Sequence, residues 1–117
     1  MKRNWDLIRD ILLEIESLPP GSHASFAIDY SVTNEQRRGE HSKLLFEAGF
    51  IRGVCAHSTD CWQLLDAELT WQGHDLLAHL RSSTIWEKVK EKAIDKGFDL
   101  SFEAVMRIAN TLIDAIS

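Results

Sequence analysis

Apolar residues recur near the start of the chain with the spacing of an α-helix. Over residues 5–17 they fall three or four positions apart, and polar residues occupy most positions between them. Asn4 can cap such a helix, and Pro19 and Pro20 prevent it from continuing. The pattern predicts one amphipathic helix with a buried apolar stripe. The stripe comprises Trp5, Ile8, Ile11, Leu12 and Ile15.

A short strand and a second helix are predicted next. Residues 25–30 alternate between apolar and polar types, which is typical of a strand at the edge of a sheet. The segment from Thr33 to Gln36 matches a capping box, in which the Thr33 hydroxyl and the Gln36 amide each satisfy a free backbone N–H. The helix would run to about Ala48, with Gly49 as a left-handed C-cap. Its inner face would comprise His41, Leu44, Leu45 and Ala48.

Two further strands would form a ribbon. Residues 50–56 and 61–69 are joined by the turn segment 57–60, and Thr70 then caps a third helix. This succession of helix, β-ribbon and helix is typical of a winged-helix domain. It predicts a mainly α protein with a small antiparallel β-sheet, in the α+β class, with a winged helix-turn-helix-like core at residues 1–83.

A two-helix extension is predicted at residues 84–117, packed on the core or at a dimer interface, within a single domain overall. Thr84 opens a second capping box, Gly97 would end that helix, and Ser101 caps the last helix. The last helix has an apolar stripe broader than one contact needs, which favours packing on a second copy of the chain. The predicted homodimer interface comprises Phe102, Val105, Met106, Ala109, Leu112, Ile113 and Ile116.

The four tryptophans are assigned by the same patterns. Trp5, Trp71 and Trp86 fall on apolar stripes, so we expect them in the core. Trp62 stands near the turn of the predicted ribbon, and we expect it to be partly exposed. His74 follows Trp71 by three residues on the same predicted face, so we expect it to pack in the core.

Charge bears directly on function. The chain has 117 residues, enough to bury a core without disulfides or metal, and a formal net charge of -5. The field of such a protein repels nucleic acid, so a DNA contact would need a local cationic patch. The second predicted helix offers Arg37, Arg38 and Lys43 for this purpose, although three glutamates on the same helix balance their charge.

The cellular compartment follows from three further observations. The N-terminus becomes amphipathic at once, unlike a signal peptide, and no apolar run approaches the roughly 20 residues of a membrane span. Two cysteines without a secretion signal indicate reduced thiols. Together these features predict a cytoplasmic protein with no membrane partner.

Candidate chemistry is sparse. Cys55, His57 and Cys61 could offer three zinc ligands, but structural zinc sites take four and usually include a Cys-x-x-Cys pair, which this sequence lacks. His74 and Asp75 resemble a general-base pair, yet adjacent helical residues point about 100° apart. No nucleophile motif or phosphate-binding glycine loop is present. The sequence predicts no catalytic residue, no metal, no cofactor and no small-molecule substrate, and so no enzyme.

Four motifs, in the same order, resemble an uncharacterised prokaryotic family. The family is known as domain of unknown function 2513 and occurs in bacterial genomes and in phages or prophages. The resemblance implies a winged-helix-like fold and a frequent setting in mobile elements, and it transfers no catalytic residue. The motifs occupy residues 1–9, 41–51, 69–75 and 85–92.

Two functions are compatible with these observations. One is a DNA-binding transcriptional regulator of phage or mobile-element origin, which would contact DNA through Arg37, Arg38 and Lys43. The other is a non-catalytic protein–protein interaction module on a winged-helix scaffold, which the acidic balance and the ribbon turn without Lys or Arg favour. A continuous positive surface around the three cationic residues would indicate the first function, and an interleaved surface the second.

Overall fold

The computed structural model describes residues 4–32, 36–96 and 101–116, which form five helices and a three-stranded antiparallel sheet. In the last two helices it describes the side chains of residues 83–92 and 102–112. This arrangement confirms the predicted mixed α and β class. The elements are α1 (Trp5–Ser17), β1 (Ala24–Asp29), α2 (Arg37–Glu47), β2 (Ile51–His57), β3 (Cys61–Leu69), α3 (Trp71–Leu80), α4 (Ser83–Lys96) and α5 (Phe102–Ile116).

The chain divides into two compact units, and the division falls inside α3. One unit comprises Asn4–His74 and contains the sheet, and the other begins at Asp75 and contains α4 and α5. The extension expected at residues 84–117 stays a prediction. None of the helices in the described residues combines the length and the apolar character that crossing a membrane requires.

Helix α1 follows the predicted pattern. The Asn4 side chain accepts a hydrogen bond from the Leu7 N–H at 3.1 Å, which confirms the predicted N-cap. The helix ends at Ser17, two residues before the first proline. Its stripe is buried at four positions, and Trp5 is half-buried. The buried positions are Ile8, Ile11, Leu12 and Ile15.

The sheet has the strand order β1-β3-β2, so β3 is the central strand. Strand β1 alternates as predicted, with Ala24, Phe26 and Ile28 buried and the residues between them exposed. Helix α1 contacts β3, and α2 contacts both outer strands. The inner face of the sheet is therefore covered by these two helices. From β3, that face contributes Trp62, Leu64, Ala67 and Leu69.

The start of α2 differs from the predicted capping box. The Gln36 amide forms two hydrogen bonds with the backbone of Asp29: its Oε1 accepts from the N–H at 2.8 Å, and its Nε2 donates to the carbonyl at 2.7 Å. Gln36 thus fastens the helix start to the end of β1, and it does so because its amide matches a backbone donor and acceptor at once. Thr33 lies outside the described residues.

The turn that follows β1 is held by the Asp29 carboxylate. The Ser31 hydroxyl and the Ser31 N–H both donate to it, at 2.6 and 3.0 Å. These hydrogen bonds stabilise the charged form and lower the pKa of Asp29. The end of α2 matches its prediction, because Gly49 has a φ of 85°, in the left-handed region.

His41 joins the two N-terminal helices. It is buried on the inner face of α2, as predicted, with Leu45. Its Nε2 accepts the N–H of Asn4 at 2.8 Å, and its Nδ1 lies 2.7 Å from the carbonyl oxygen of Arg37. One ring nitrogen must accept and the other must donate, so this arrangement requires the neutral ring with its proton on Nδ1. The imidazole therefore satisfies a backbone donor at the start of α1 from inside α2.

Helix α2 approaches β1 at Gly39. A Cβ atom on this residue would overlap the carbonyl oxygen of Ala27 and would also meet the Ile28 side chain. Gly39 is the first buried residue of the packed face. The helix can therefore lie this close to the sheet only because residue 39 has no side chain.

In the second unit, the start of α4 differs from its prediction. Helix α4 is capped by Ser82, whose hydroxyl accepts from the Ile85 N–H at 3.3 Å, so the predicted cap at Thr84 is wrong by two residues. The helix begins two residues earlier than predicted, because the Ser82 carbonyl already accepts the Trp86 N–H. Glu87 pairs with Lys90 at 3.0 Å rather than reaching back to the cap. Gly97 lies outside the described residues.

Ser101 caps α5 as predicted, with its hydroxyl accepting the Ala104 N–H at 3.1 Å. Helices α4 and α5 contact each other. Apolar side chains from all three C-terminal helices are buried in this unit. They are Leu76, Leu77, Leu80, Ile85, Trp86, Val89, Val105 and Ala109.

We expect Gly39→Ala to lower the free energy of unfolding by about 1–3 kcal/mol, because the added methyl group overpacks the contact with Ala27. In an open helix the same change would raise it by up to about 1 kcal/mol, so the sign is diagnostic. Denaturant unfolding measures the effect. Gln72→Ala, at an exposed position of α3, is the control and should change stability by less than about 0.5 kcal/mol. Stabilisation by Gly39→Ala would contradict the packing described for α2.

Candidate functional site

The three predicted DNA-contacting residues lie on α2. Arg37 is exposed at the first position of the helix. Arg38 forms an ion pair with Glu14 of α1 at 2.6 Å, and its guanidinium lies 4.6 Å from the centre of the Phe26 ring. Half of the Arg38 side chain remains accessible. Its charge is nevertheless directed towards α1 and away from the free side of α2.

Lys43 is held on a different side of the helix. Its Nζ donates to the Tyr30 hydroxyl at 3.0 Å and lies 3.9 Å from the Glu47 carboxylate. The hydrogen bond to Tyr30 is the main cause of a raised pKa of Lys43. Positive and negative side chains are therefore interleaved on the surface of α2, with a carboxylate beside Arg38 and another beside Lys43. The structure does not bring the three cationic residues together as one continuous positive patch.

The predicted dimer stripe of α5 is divided between buried and partly exposed positions. Val105 and Ala109 are fully buried in the chain itself. Phe102, Met106 and Leu112 are half-buried, and the side chains of Ile113 and Ile116 lie outside the described part. The breadth of the stripe is thus partly used by the packing of the chain. A homodimer through this helix stays a prediction.

The thiols of the ribbon lie apart. Cys55 is opposite Leu64 in the register, whereas Cys61 is three residues further along β3. At about 3.4 Å per residue, their Cα atoms are separated by roughly 10 Å, beyond the reach of a disulfide. Within the described ranges, no three His, Cys, Asp or Glu side chains are grouped so that they could hold a metal ion.

Two tryptophans lie in environments opposite to those predicted. Trp62 is only 3% exposed, because it lies on the covered face of the central strand. Its ring is 6.2 Å from the ring of Phe46 on α2. Trp71, in contrast, is 84% exposed. The prediction of a core Trp71 and a partly exposed Trp62 is therefore wrong in both parts.

The correction has a geometric reason in α3. The buried stripe of this helix starts at Gly73 and continues through Leu76, Leu77 and Leu80, with the spacing i, i+3, i+4, i+7. Gly73 lies against the carbonyl oxygen of Phe50, where a Cβ atom would not fit. Trp71 is about 200° away from Gly73 around the helix, so it points outwards. His74 is also exposed, contrary to its expected place in the core. Counting the glycine as an apolar position would have revealed the correct stripe.

Trp71 lines an open cleft of about 430 Å³ between the first turn of α3 and the start of β2. Its other lining residues are Arg52, Leu69, Thr70 and His74. Thr70 fixes this geometry, because its hydroxyl caps the Gly73 N–H at 3.1 Å while its own N–H donates to the Phe50 carbonyl at 3.1 Å. The predicted cap at Thr70 is thus confirmed.

Arg52, which lines the cleft, also belongs to the uncovered face of the ribbon. Arg52 and Glu68 are opposite each other on this face and form an ion pair at 2.6 Å. The next pair on the same face is Val54 and Leu65, which are 59% and 39% exposed. We define the ribbon surface as these four residues together with Trp71. It combines three exposed apolar side chains with one neutralised ion pair.

Such a surface is suited to binding. Exposed apolar side chains that lie together mark contact sites, because burying them removes apolar area from water. A tryptophan at the centre of an interface contributes a large area at low entropic cost, and truncating it typically costs more than about 2 kcal/mol of binding free energy. Sequence patterns did not identify this surface, because the helical spacing assigned Trp71 to the core.

We expect Trp71→Ala to change the free energy of unfolding by less than about 0.5 kcal/mol, because the side chain is exposed. The matched change Trp62→Ala should lower it by about 3–5 kcal/mol, since it leaves a cavity under the sheet. Thermal or denaturant unfolding of both variants measures the difference. Equal losses for the two tryptophans would contradict the assignment of Trp71 to the surface.

Comparison with known proteins gives a family but no activity. A family model described as "Hypothetical protein (DUF2513)" matches residues 2–99. The chain is 38% identical over 113 residues to an "Uncharacterized protein" of Haemophilus influenzae, and the match covers 97% of this chain and 96% of that protein. No solved structure matches the chain.

Proposed function

The chain belongs to the DUF2513 family, and we propose that its helix-and-ribbon unit is a non-catalytic protein–protein interaction module that acts in the cytoplasm. The observation that supports this function is the exposure of Trp71, at 84%, beside an open cleft. A side chain of this size loses a large area of water contact when a partner covers it. Its position on the first turn of a capped helix fixes it in place before binding.

The scaffold of the module is winged-helix-like in this proposal. Helix α2 precedes the β2–β3 ribbon, α3 follows it, and β1 completes a three-stranded sheet. A helix-turn-helix consists of two helices joined by a short turn. Between β1 and β2 the described residues form the single helix α2, which does not match that motif. We regard the ribbon with the adjoining turn of α3 as the functional part of this scaffold.

Charge favours a protein partner over DNA. The carboxylates of Glu14 and Glu47 lie beside the cationic groups of α2, and the net charge of the chain is -5. Phosphate contacts supply most of the affinity of DNA-binding proteins, and they require uncompensated cationic side chains. An interleaved surface is the arrangement expected of an interaction module.

Affinity capture from a bacterial lysate tests this function. Immobilised protein should retain at least one partner, and Trp71→Ala should reduce its retention at least tenfold because the central aromatic contact is lost. Tyr30→Ala removes another exposed aromatic ring of the same unit, one that lies outside the ribbon surface, and should leave retention unchanged. The proposal fails if every protein retained by the wild type is retained equally by the Trp71 variant.

A DNA-binding regulator is the second candidate, and one observation favours it. Arg37 and Arg38 are adjacent and exposed at the start of α2, and an exposed ion pair such as Arg38–Glu14 contributes little free energy, so it could be exchanged for a phosphate contact. In this function, a homodimer through α5 would present two copies of α2 to the DNA.

Fluorescence anisotropy of a labelled random-sequence DNA duplex separates the two candidates. As an interaction module, the protein should show no binding at about 50 mM salt, where non-specific DNA affinity is strong. Binding that weakens steeply at about 200 mM salt and is lost in Arg37→Glu/Arg38→Glu would instead establish DNA binding. Arg81→Glu/Arg107→Glu, at two exposed positions of the C-terminal unit, makes the same change in net charge and is the control.

A further inference from the structure

Strand β2 is an edge strand, since the strand order is β1-β3-β2. At one end of the ribbon the Ser58 N–H donates to the Cys61 carbonyl at 2.8 Å. Residues of an antiparallel pair alternate between facing their partner and facing away, so Cys55 and His57 direct their N–H and C=O groups to the free side of β2. The Gly53 position at the bulge has the same orientation.

The free side of β2 lacks most of the features that usually prevent strand addition, although its pairing with β3 contains one bulge. Edge strands are commonly protected by lysines, prolines or inward-pointing charges. Residues 51–57 contain neither lysine nor proline, and their one arginine, Arg52, is neutralised by Glu68. The side chains of residues 52–57 are all exposed. The edge therefore offers a backbone template whose neighbours on the uncovered face are the apolar residues of the ribbon surface.

An added strand would place every second side chain on the ribbon surface. In strand addition, backbone hydrogen bonds provide affinity, and alternate side chains provide specificity. The side chains on the uncovered side would approach Val54 and, through it, Leu65. Further along the same face they would approach the cleft of Trp71. Apolar residues at alternating positions fit these contacts.

Charge determines the rest of the partner's composition. Residues 51–69 carry Arg52 with Glu68, and also Asp60 and Asp66. Both aspartates are exposed, and neither has an ion-pair partner among the residues that the structure describes. Asp66 lies at the bulge with a φ of 55°, and the bulge places it near Gly53, which has no side chain. A second copy of the chain would bring like charges together, whereas a cationic partner would offset them.

We propose that the β2 edge binds, by strand addition, an extended segment of a partner protein in which apolar residues alternate with Lys or Arg. The apolar residues contact the ribbon surface, and the basic residues, on the other side of the added strand, are attracted by the uncompensated charges of Asp66 and Asp60. This assignment rests on the proposed interaction function and specifies the class of partner for it.

The probe is a displayed library of random peptides of about ten residues, the upper length of a typical strand, selected on the immobilised protein. Enriched peptides should alternate apolar residues with Lys or Arg. NMR amide exchange of the full chain with an enriched peptide then locates the contact. The amides of Gly53, Cys55 and His57 should exchange at least tenfold more slowly in the complex, because each gains protection from the added strand.

Two variants test the separate parts of the contact. Cys55→Pro removes a backbone donor on the free side only and should weaken peptide binding at least tenfold, while Cys55→Ser retains the donor and should bind like the wild type. Asp66→Asn keeps a residue type that tolerates the left-handed conformation and should weaken binding roughly two- to fivefold. Asp66→Asn leaves the backbone of β2 unchanged, so it still tests peptide binding if Cys55→Pro fails to fold.

Several results would overturn the assignment. One is a failure to enrich any peptide, and another is enrichment of acidic peptides. A third is binding without slower exchange at the edge amides, in which case a Trp71-dependent partner from the lysate would still support the interaction function. A fourth is a dimer of the free protein whose β2 amides are already protected, which would identify a second copy as the occupant. Failure of both capture and library selection would overturn the proposed function as well.

Discussion

The close approach of α2 to the sheet at Gly39 is the contact on which the N-terminal unit depends. Because no Cβ intervenes, the helix lies against Ala27, and its inner face is sealed by β1, α1 and β2. The same approach places His41 where it can accept the N–H of Asn4 and hold the start of α1. The helix ends at Glu47, and the left-handed conformation of Gly49 then directs the chain into the ribbon.

Covering one face of the sheet with two helices leaves the other face and the β2 edge uncovered. The core is built on the covered face, where Trp62 and Leu64 lie. The opposite face carries the Val54–Leu65 pair, and Trp71 stands at its end. Stability and, in the proposed function, binding are thus assigned to opposite sides of one ribbon. A surface of this kind can vary its exposed residues without disturbing the packing beneath it.

Local patterns predicted the elements well and their surroundings less well. The periodicity of α1 and the alternation of β1 gave their buried positions, because each element has one face towards the core. The spacing of Trp71 and His74 with Leu77 was equally regular, but a nearby stripe that begins at Gly73 is the one that packs. Gln36 likewise matched a capping pattern, although the backbone of Asp29 was its partner.

The sequence by itself determined where most helices and strands begin and end, because caps at Asn4, Thr70 and Ser101 and the turn at Gly49 act over only a few residues. It also determined the family and the mixed α and β class. Only the tertiary structure decided which apolar residues stay exposed and which charges are compensated. Both depend on contacts between distant segments, such as Arg38 with Glu14 and Gly39 with Ala27, whose geometry no local spacing encodes.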